Sequence, residues 1–306
     1  MIDAMKEFIE HLESQDLSAL TVKGYSSDIA HFVRWFVETN GEMQGMESIT
    51  PTDMKEYKQY LLVTKRCKAS TINRQLSALS MWMQWALERD LIRIDPMHKI
   101  KRVENSSNAI RWLDRKEQFA LQRAIEKDLQ VSKLRYPKRW LTRRRDASMT
   151  LFLLNTGLRL NECVNLTLED VKLSARKGSV LVQNGKGSKQ RIIPLNTEAR
   201  KAVEEWLQVR PQRGEHLWIA VEMDEGGRLT GRTVQRMLAR YAREAGLETL
   251  TPHMLRHCFA KNLVNNQVGL EEVAALLGHT SLNTTRIYIT PSARDLEEAV
   301  SKLDEY

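Results

Sequence analysis

The sequence has few cysteines and no long apolar run. Three of its 306 residues are cysteines, at the widely separated positions 67, 163 and 258. An odd number of distant cysteines predicts no disulfide framework and favours a reducing, cytoplasmic setting. The N-terminus lacks the basic and apolar blocks of a signal peptide, and no apolar run approaches the roughly 20 residues that a membrane-spanning helix needs. These absences predict a soluble intracellular protein.

Charge, in contrast, is abundant and unequal in sign. Lys and Arg number 47 against 39 Asp and Glu, which gives a net charge of +8 and a pI near 9.4. The apolar fraction of 42% is ordinary for a folded chain and excludes wholesale disorder. The length allows two globular domains. The positive excess suits a polyanionic partner, although many soluble proteins share a basic pI.

The first hundred residues predict a helical domain, because apolar residues recur at helical spacing in four segments. Ser18 is the predicted N-cap of the second helix, Pro51 opens the third, and the fourth begins near Ser70. The polar face of the fourth helix carries Arg74 among groups of the kind that contact phosphates. A simple solvated face explains that arrangement equally well.

Residues 101–112 are rich in charge, Ser and Asn, and are predicted to be an exposed interdomain linker. The helical region beyond it contains a basic stretch, residues 133–145, with seven Lys or Arg and no acid. These charges would repel one another without an anionic partner, so the stretch predicts DNA contact, with a solvated surface as the alternative. The contact candidates in it are Lys138, Arg139, Arg143 and Arg144.

The β signal is confined to residues 179–194, where two short strands flank Asn184-Gly185, a dipeptide that favours a tight hairpin turn. The predicted fold is therefore mostly α with a small β-hairpin. Further on, Thr230 is the predicted cap of a helix with a positive stripe opposite its apolar face, suited to lying along a DNA groove. The stripe contains Arg232, Arg236, Arg240 and Arg243.

Two simpler interpretations of the remaining motifs are disfavoured. Lys186 lies in a glycine-containing turn, but the turn lacks the Gly-x-x-x-x-Gly-Lys-Ser/Thr spacing of a nucleotide-binding loop. His253 and His257 are four positions apart, as zinc ligands can be, but no Glu lies between them and Arg256 would stand beside the metal. Neither a cofactor nor a metal is therefore predicted.

Taken together, the C-terminal motifs resemble the tyrosine recombinase (phage integrase) family. In order, they are Thr156-Gly157-Leu158-Arg159, Gly185-Lys186-Gly187, His253-Met254-Leu255-Arg256-His257, Leu277-Gly278-His279-Thr280 and Tyr288. The family's active site is an arginine, a hairpin lysine, a His-x-x-Arg pair, a second histidine and a tyrosine nine residues later. The resemblance implies a two-domain, C-shaped clamp around double-stranded DNA, with a helical core-binding (SAM-like) domain in residues 1–100 and a catalytic domain in residues 113–306.

The resemblance also implies the chemistry. Tyr288 would be the nucleophile that forms a 3′-phosphotyrosyl bond, in a reaction that passes through a Holliday junction. Arg159 and Arg256 would neutralise the scissile phosphate, because a guanidinium can donate two parallel hydrogen bonds to it. Glu162, just after the first arginine, is expected to orient its neighbours.

Three further roles follow from the same resemblance. Lys186 would protonate the departing 5′ oxygen, His253 would act as an acid or base near the nucleophile, and His279 would donate to the phosphate. No metal or cofactor is implied, because the arginines supply the charge stabilisation that metal ions give in many nucleases.

The ends of the chain point to a subfamily. A core-binding domain that begins within the first residues leaves no room for a separate arm-binding domain, which favours simple recombinases of the Xer type, or their transposon and integron relatives. Such enzymes act as tetramers on paired inverted-repeat sites, in some cases with a second recombinase. The tail has an apolar stripe, Leu296, Val300 and Leu303, expected to dock on a neighbouring subunit, with packing on its own domain as the alternative.

Two other functions share parts of this pattern. A type IB topoisomerase uses the same arginine, lysine and tyrosine chemistry, but the core-binding domain and the tail argue against it. A DNA-binding regulator of the same fold would not need catalysis, and the complete set of six active-site residues argues against that. We therefore expect a site-specific DNA recombinase.

Overall fold

The computed structural model describes residues 1–15, 17–41, 45–104, 111–183, 190–279, 281–288 and 300. It is mostly helical with one small antiparallel sheet. The chain divides into two compact units, Met1–Asn108 and Ala109–Tyr306, and each has a hydrophobic core of its own. Among the described residues, no helix is long and apolar enough to cross a membrane.

The N-terminal unit contains the four predicted helices. They are α1 (Ile2–Ser14), α2 (Ala19–Asn40), α3 (Pro51–Gln59) and α4 (Ala69–Glu88), with a 3₁₀ turn at Met46–Ser48 and a π-helical turn at Tyr60–Thr64. Ser18 caps α2 as predicted, since its hydroxyl accepts a hydrogen bond from the Thr21 N–H at 3.1 Å. Pro51 occupies the first turn of α3, also as predicted.

The segment predicted as a linker begins as part of the N-terminal unit. The Asn73 side chain on α4 pairs with the Val103 backbone in both directions, donating to its carbonyl and accepting from its N–H, each at 2.8 Å. Val103 also packs against the core of this unit. Residues 101–104 are therefore held on α4, and residues 105–110 lie outside the described residues.

The C-terminal unit is built from eight helices and three strands in its described part. The helices are α5 (Arg115–Arg135), α6 (Trp140–Thr156), α7 (Leu160–Asn165), α8 (Thr197–Leu207), α9 (Gly231–Glu244), α10 (Pro252–Asn265), α11 (Leu270–Leu277) and α12 (Asn283–Arg286). The strands are β1 (Val171–Leu173), β2 (Gly178–Val182) and β3 (Arg191–Pro194), antiparallel in the order β1-β2-β3. The two predicted strands are confirmed, β1 was missed, and the predicted turn lies outside the described residues.

Helix α6 is the centre of this unit. Its last ten residues include eight that are buried, on all sides of the helix, and it packs against α5, α8 and α10. A helix that is buried on all sides is held by its neighbours, so the residues directly after it start from a fixed position. The residues that follow are Gly157, Leu158 and Arg159, so the first candidate arginine starts from the end of a buried, closely packed helix.

Candidate active site

The candidate site forms around the C-terminal end of α11, where the last backbone carbonyls have no partner within the helix. Three arginine side chains donate to three consecutive carbonyl oxygens there: Arg191 to Leu276 at 3.0 Å, Arg256 to Leu277 at 2.8 Å and Arg159 to Gly278 at 3.0 Å. A helix C-terminus carries partial negative charge, so it stabilises this gathering of cations.

Two glycines allow the side chains of this site to pack closely against the ends of α11 and α6. Gly278 ends α11 with φ +66°, and a Cβ added to it would lie 2.8 Å from the Arg191 guanidinium. Gly157 ends α6 with φ +62°, and a Cβ there would lie 2.4 Å from the Phe259 ring. The Gly157 carbonyl accepts a second hydrogen bond from Arg256, at 2.8 Å. Side-chain-bearing residues rarely adopt this backbone conformation, so both motif glycines are needed to hold the arginines in place.

Glu162 connects two of these arginines. Its carboxylate accepts from the Arg159 side chain and backbone N–H, each at 2.8 Å, and from both Nη atoms of Arg191, at 3.0 and 2.8 Å. Burial acts to raise the pKa of Glu162, but the hydrogen bonds from Arg191 and Arg159 outweigh it and hold that pKa below its usual value. Glu162 is therefore ionised at neutral pH, and its contacts suit the orienting role expected of it.

The arginines keep most of their charge available. Three guanidinium groups lie here with one carboxylate, which binds only Arg159 and Arg191, so the net charge of these four groups is +2. Arg256 is buried, and burial together with the Arg159 charge lowers its pKa to about 10, so it is still protonated at neutral pH. The Arg159 side chain is 42% exposed and is thus open to a ligand from solution.

The start of α10 places His253 at the surface. Thr251 caps the helix, accepting from the Met254 N–H at 3.2 Å, and Pro252 follows in the first turn. His253 is exposed in the same turn. Free N–H groups in a first helical turn favour an anion, so this position is suited to a phosphate.

His279 follows Gly278 directly, and its Nδ1 lies 2.9 Å from the Thr285 Oγ1. Burial and the charges of Arg256 and Arg159 lower the pKa of His279 to about 4. The ring is therefore neutral at neutral pH and has one N–H to donate.

Tyr288 is 1% exposed and packs against Ala260, Val273 and Leu277. Burial raises the pKa of its phenol, and the Arg256 charge opposes that rise. The hydroxyl lies 2.8 Å from His257 Nδ1. The family resemblance implied His253 beside the nucleophile, but the residue in hydrogen-bond contact with the Tyr288 hydroxyl is His257.

Some predicted site residues lie outside the described residues. These are Lys186 in the hairpin turn and the tail residues Leu296 and Leu303; Val300 is described and exposed. The roles given to Lys186 and to the tail stripe therefore stay predictions.

The predicted positive stripe on α9 divides into two parts. Arg232, Arg236 and Arg243 are exposed. The Arg240 side chain is only 17% exposed and donates to Asp128 on α5 and Asp146 on α6, each at 3.0 Å. Its charge is balanced within the protein, so the helical periodicity correctly placed the exposed arginines but not Arg240.

The basic stretch contains no acid of its own, but the structure places acids from other helices beside two of its arginines. Lys138 and Arg139 are exposed. Arg143 pairs with Asp128 at 3.2 Å, and Arg144 pairs with Glu205 at 3.1 Å. The compensating acids come from α5 and α8, so they were invisible to a count within the stretch.

In the N-terminal unit, Arg74 forms an ion pair with the buried Asp28 and leaves half of its side chain exposed. It therefore has a structural partner and still reaches the surface.

Two residues of the site were missed from the sequence. Arg191 was overlooked because it stands at the end of a basic hairpin; its position at the start of a strand beside apolar residues was the available signal. His257 was considered only as a zinc ligand. Its spacing of four from His253, which places it on the same helical face, was the clue.

Comparisons with known proteins identify the family of this chain. The Phage integrase family matches residues 130–294, more than half of the 306-residue chain, and the Phage integrase N-terminal SAM-like domain matches residues 5–93. The chain therefore belongs to the phage integrase family. It is a tyrosine-type site-specific recombinase, an enzyme that cleaves and rejoins DNA.

Relatives match along nearly the whole chain. "Tyrosine recombinase XerC" of Staphylococcus haemolyticus is 30% identical over 287 residues, covering 93% of this chain and 90% of the relative. "TnP I resolvase" of Bacillus thuringiensis is 26% identical over 312 residues, covering 99% and 100%.

The fold is shared with solved recombinases. The XerH site-specific recombinase, in a post-cleavage complex with its palindromic difH substrate, has a TM-score of 0.75 at 24% identity and covers 93% of this chain and 80% of that one. A lambda integrase dimer bound to a core site has a TM-score of 0.73 at 17% identity, covering 96% of each chain.

Proposed function

We propose that Tyr288 attacks the scissile phosphate of double-stranded DNA and forms a 3′-phosphotyrosyl bond. The Tyr288 Oη–P bond forms while the P–O5′ bond breaks, which leaves a free 5′-hydroxyl. The attack of a 5′-hydroxyl from a second duplex reverses the step, and exchange of two strand pairs passes through a Holliday junction. The observation that carries the proposal is the convergence of three arginines at the α11 terminus in the unit that holds Tyr288.

The arginines stabilise the transition state. A guanidinium has five N–H donors, and the contacts of Arg159 to Glu162 and Gly278 use one hydrogen on each Nη atom. The remaining donors of Arg159 and Arg256 are available to the non-bridging oxygens, where negative charge develops. His253 and neutral His279 donate to the same phosphate.

The leaving oxygen needs a proton, since an alkoxide is a poor leaving group. We assign that proton to Lys186. The phosphotyrosyl bond conserves the phosphodiester, so rejoining needs neither a metal nor an energy-rich cofactor.

The exposed basic residues supply DNA contacts in this proposal. Arg232 and Arg236 on α9, and Lys138 and Arg139 before α6, are exposed side chains of one sign. Such contacts supply salt-dependent affinity. The XerH complex with its difH substrate and the lambda integrase complex with a core site support a DNA partner for this chain.

The assembly is proposed by analogy with the relatives. We propose a homotetramer on paired inverted-repeat sites, in the cytoplasm, with or without a second recombinase; the palindromic substrate of XerH supports the inverted repeats. The tail stripe around Val300 would dock on a neighbouring subunit in that assembly.

Changing Tyr288→Phe tests the chemistry, because it removes one hydroxyl and keeps the ring. On a nicked suicide substrate the wild-type enzyme should give a denaturation-resistant protein–DNA adduct, and the variant should give none while still binding DNA. Tyr136→Phe makes the same change in a ring that stacks on Arg143, and it should form the adduct normally. An adduct formed by the Tyr288→Phe protein would exclude Tyr288 as the nucleophile.

A further inference from the structure

The hydroxyl of Tyr288 is held by a residue outside the six assigned to the chemistry. His257 Nδ1 lies 2.8 Å from Tyr288 Oη, and the two ring centroids are 5.5 Å apart. His257 belongs to α10, whereas Tyr288 follows α12, so the contact joins two separate elements. It is directed at the one oxygen that must lose its proton for attack.

The surroundings favour His257 as an acceptor. Tyr288 is 1% exposed, so water does not compete for its hydroxyl, and a buried hydroxyl is costly without a partner. Burial and the positive charges of His253 and Arg256 lower the pKa of His257 to about 4. A neutral imidazole has one ring nitrogen without hydrogen, and here that nitrogen can be Nδ1.

The titratable groups around this pair are disposed for proton transfer in the presence of DNA. His253 and Arg256 face His257 from its own helix, and neutral His279 faces it from beyond α11. Burial, His253 and Arg256 disfavour an imidazolium at His257 in the free protein. An arriving phosphate adds negative charge among them, which favours the imidazolium again. The pair is thereby kept protonated on oxygen until DNA is bound.

We propose that His257 takes the proton of Tyr288 during strand cleavage and returns it during rejoining; this rests on the proposed function. In cleavage the O–H bond of Tyr288 breaks, the proton passes to Nδ1, the Oη–P bond forms, and the P–O5′ bond breaks with its electron pair on the 5′ oxygen, which is protonated by Lys186. In rejoining a 5′-hydroxyl attacks phosphorus and gives its proton back to Lys186, while the Oη–P bond breaks and the departing phenolate recovers its proton from His257.

The pH dependence of cleavage tests this assignment. Single-turnover adduct formation on suicide DNA should be nearly independent of pH for wild type between about pH 6 and 9. His257→Phe should be at least about 100-fold slower near neutral pH, the lower end of what a general base contributes. Its rate should rise about tenfold per pH unit, because phenolate must then form without the base. A rate that is reduced equally at every pH would overturn the proposal.

His257→Gln separates proton transfer from simple positioning. Glutamine can accept the hydrogen bond but cannot take a proton, so this variant should stay slow and pH-dependent. Recovery to the wild-type rate would mean that the hydrogen bond alone suffices. A fluorinated tyrosine at position 288, whose phenol ionises at lower pH, should accelerate the His257→Phe protein more than the wild type, and equal acceleration of both would contradict proton transfer.

A packing control comes from Val268, which lies against the same buried cluster as Tyr288. Val268→Ala loosens the pocket and leaves His257 in place, so any loss of rate should be independent of pH. A pH-dependent loss in this variant would show that the profile reports packing. If wild type itself forms no adduct, the proposed function fails; if wild type does and His257→Phe matches it throughout, only this inference fails.

Discussion

Two groups of three arginines lie in the C-terminal unit, and their partners differ in kind. At the α11 terminus, all three arginines bind backbone carbonyls, and only two of them, Arg159 and Arg191, also bind a carboxylate, that of Glu162. Between α5, α6 and α9, Arg143, Arg145 and Arg240 bind the carboxylates of Asp128, Asp146 and Glu244. The first group therefore keeps a net positive charge, and the second is neutralised.

The difference shows how a fold separates binding arginines from structural ones. A carbonyl is a dipole, so it orients a guanidinium without cancelling its charge, which stays available to a phosphate. A carboxylate cancels the charge and, when buried, ties elements together. Tyr241 completes the second group, since its hydroxyl donates to Asp128 at 3.2 Å.

The largest effect on stability is expected from Arg240→Met. This change leaves buried Asp128 and Asp146 with less compensation, and breaking a buried pair from one side costs about 3–5 kcal/mol. Chemical denaturation should show that loss, while the folded fraction keeps its cleavage rate. Arg236→Met, one turn earlier and exposed, should change the free energy of unfolding by no more than about 0.5 kcal/mol. Equal destabilisation by the two changes would refute the distinction.

Arg256→Ala should lower the rate of cleavage, which Arg240→Met leaves unchanged. Removing one donor to the developing phosphate charge costs about 100- to 1000-fold in rate. Single-turnover cleavage would measure it, alongside DNA affinity, which should change far less because many other contacts remain. A loss confined to affinity would indicate that Arg256 binds DNA without stabilising the transition state.

Arg191→Lys sharpens the comparison within the first group. Lysine keeps the charge but cannot pair with both Glu162 oxygens and the Leu276 carbonyl in one plane. We expect cleavage to slow by roughly tenfold, with DNA affinity nearly unchanged, because Glu162, which positions Arg159, is then held less firmly. An unaltered rate would show that charge alone, without the paired geometry, sets the position of Arg159.

Glu162→Gln gives the smallest expected effect, a change in how stability depends on pH. The folded-state pKa of Glu162 is depressed below 4.5, so its ionisation stabilises the fold above that pH, and the contribution is lost as pH falls through the folded value. Wild type should therefore exceed the variant in unfolding free energy at neutral pH, and the gap should narrow in acid. A gap that is constant with pH would mean that the carboxylate charge is not the stabilising feature.

Local sequence signals were enough to predict several helix starts, two of the strands and the family of this protein. Helix starts at Ser18, Thr230 and Thr251 were predictable, because a cap is an interaction between residues three apart. Strands β2 and β3 and the apolar stripes follow from periodicities of two and 3.6 residues. The order of the motifs through Tyr288 was enough to indicate the family.

Only the tertiary structure decided which charges are used and which are cancelled. Asp128 is 112 positions from Arg240, and Gly278 is 119 positions from Arg159. The three-residue β1 carried no readable alternation, and nothing in the sequence indicated that Asn73 pairs with the Val103 backbone 30 positions away. Periodicity shows which face of a helix a residue occupies, but the partner on that face comes from another element. Packing therefore decided that Arg240 is structural, that Arg191 supports the site and that His257 contacts the nucleophile.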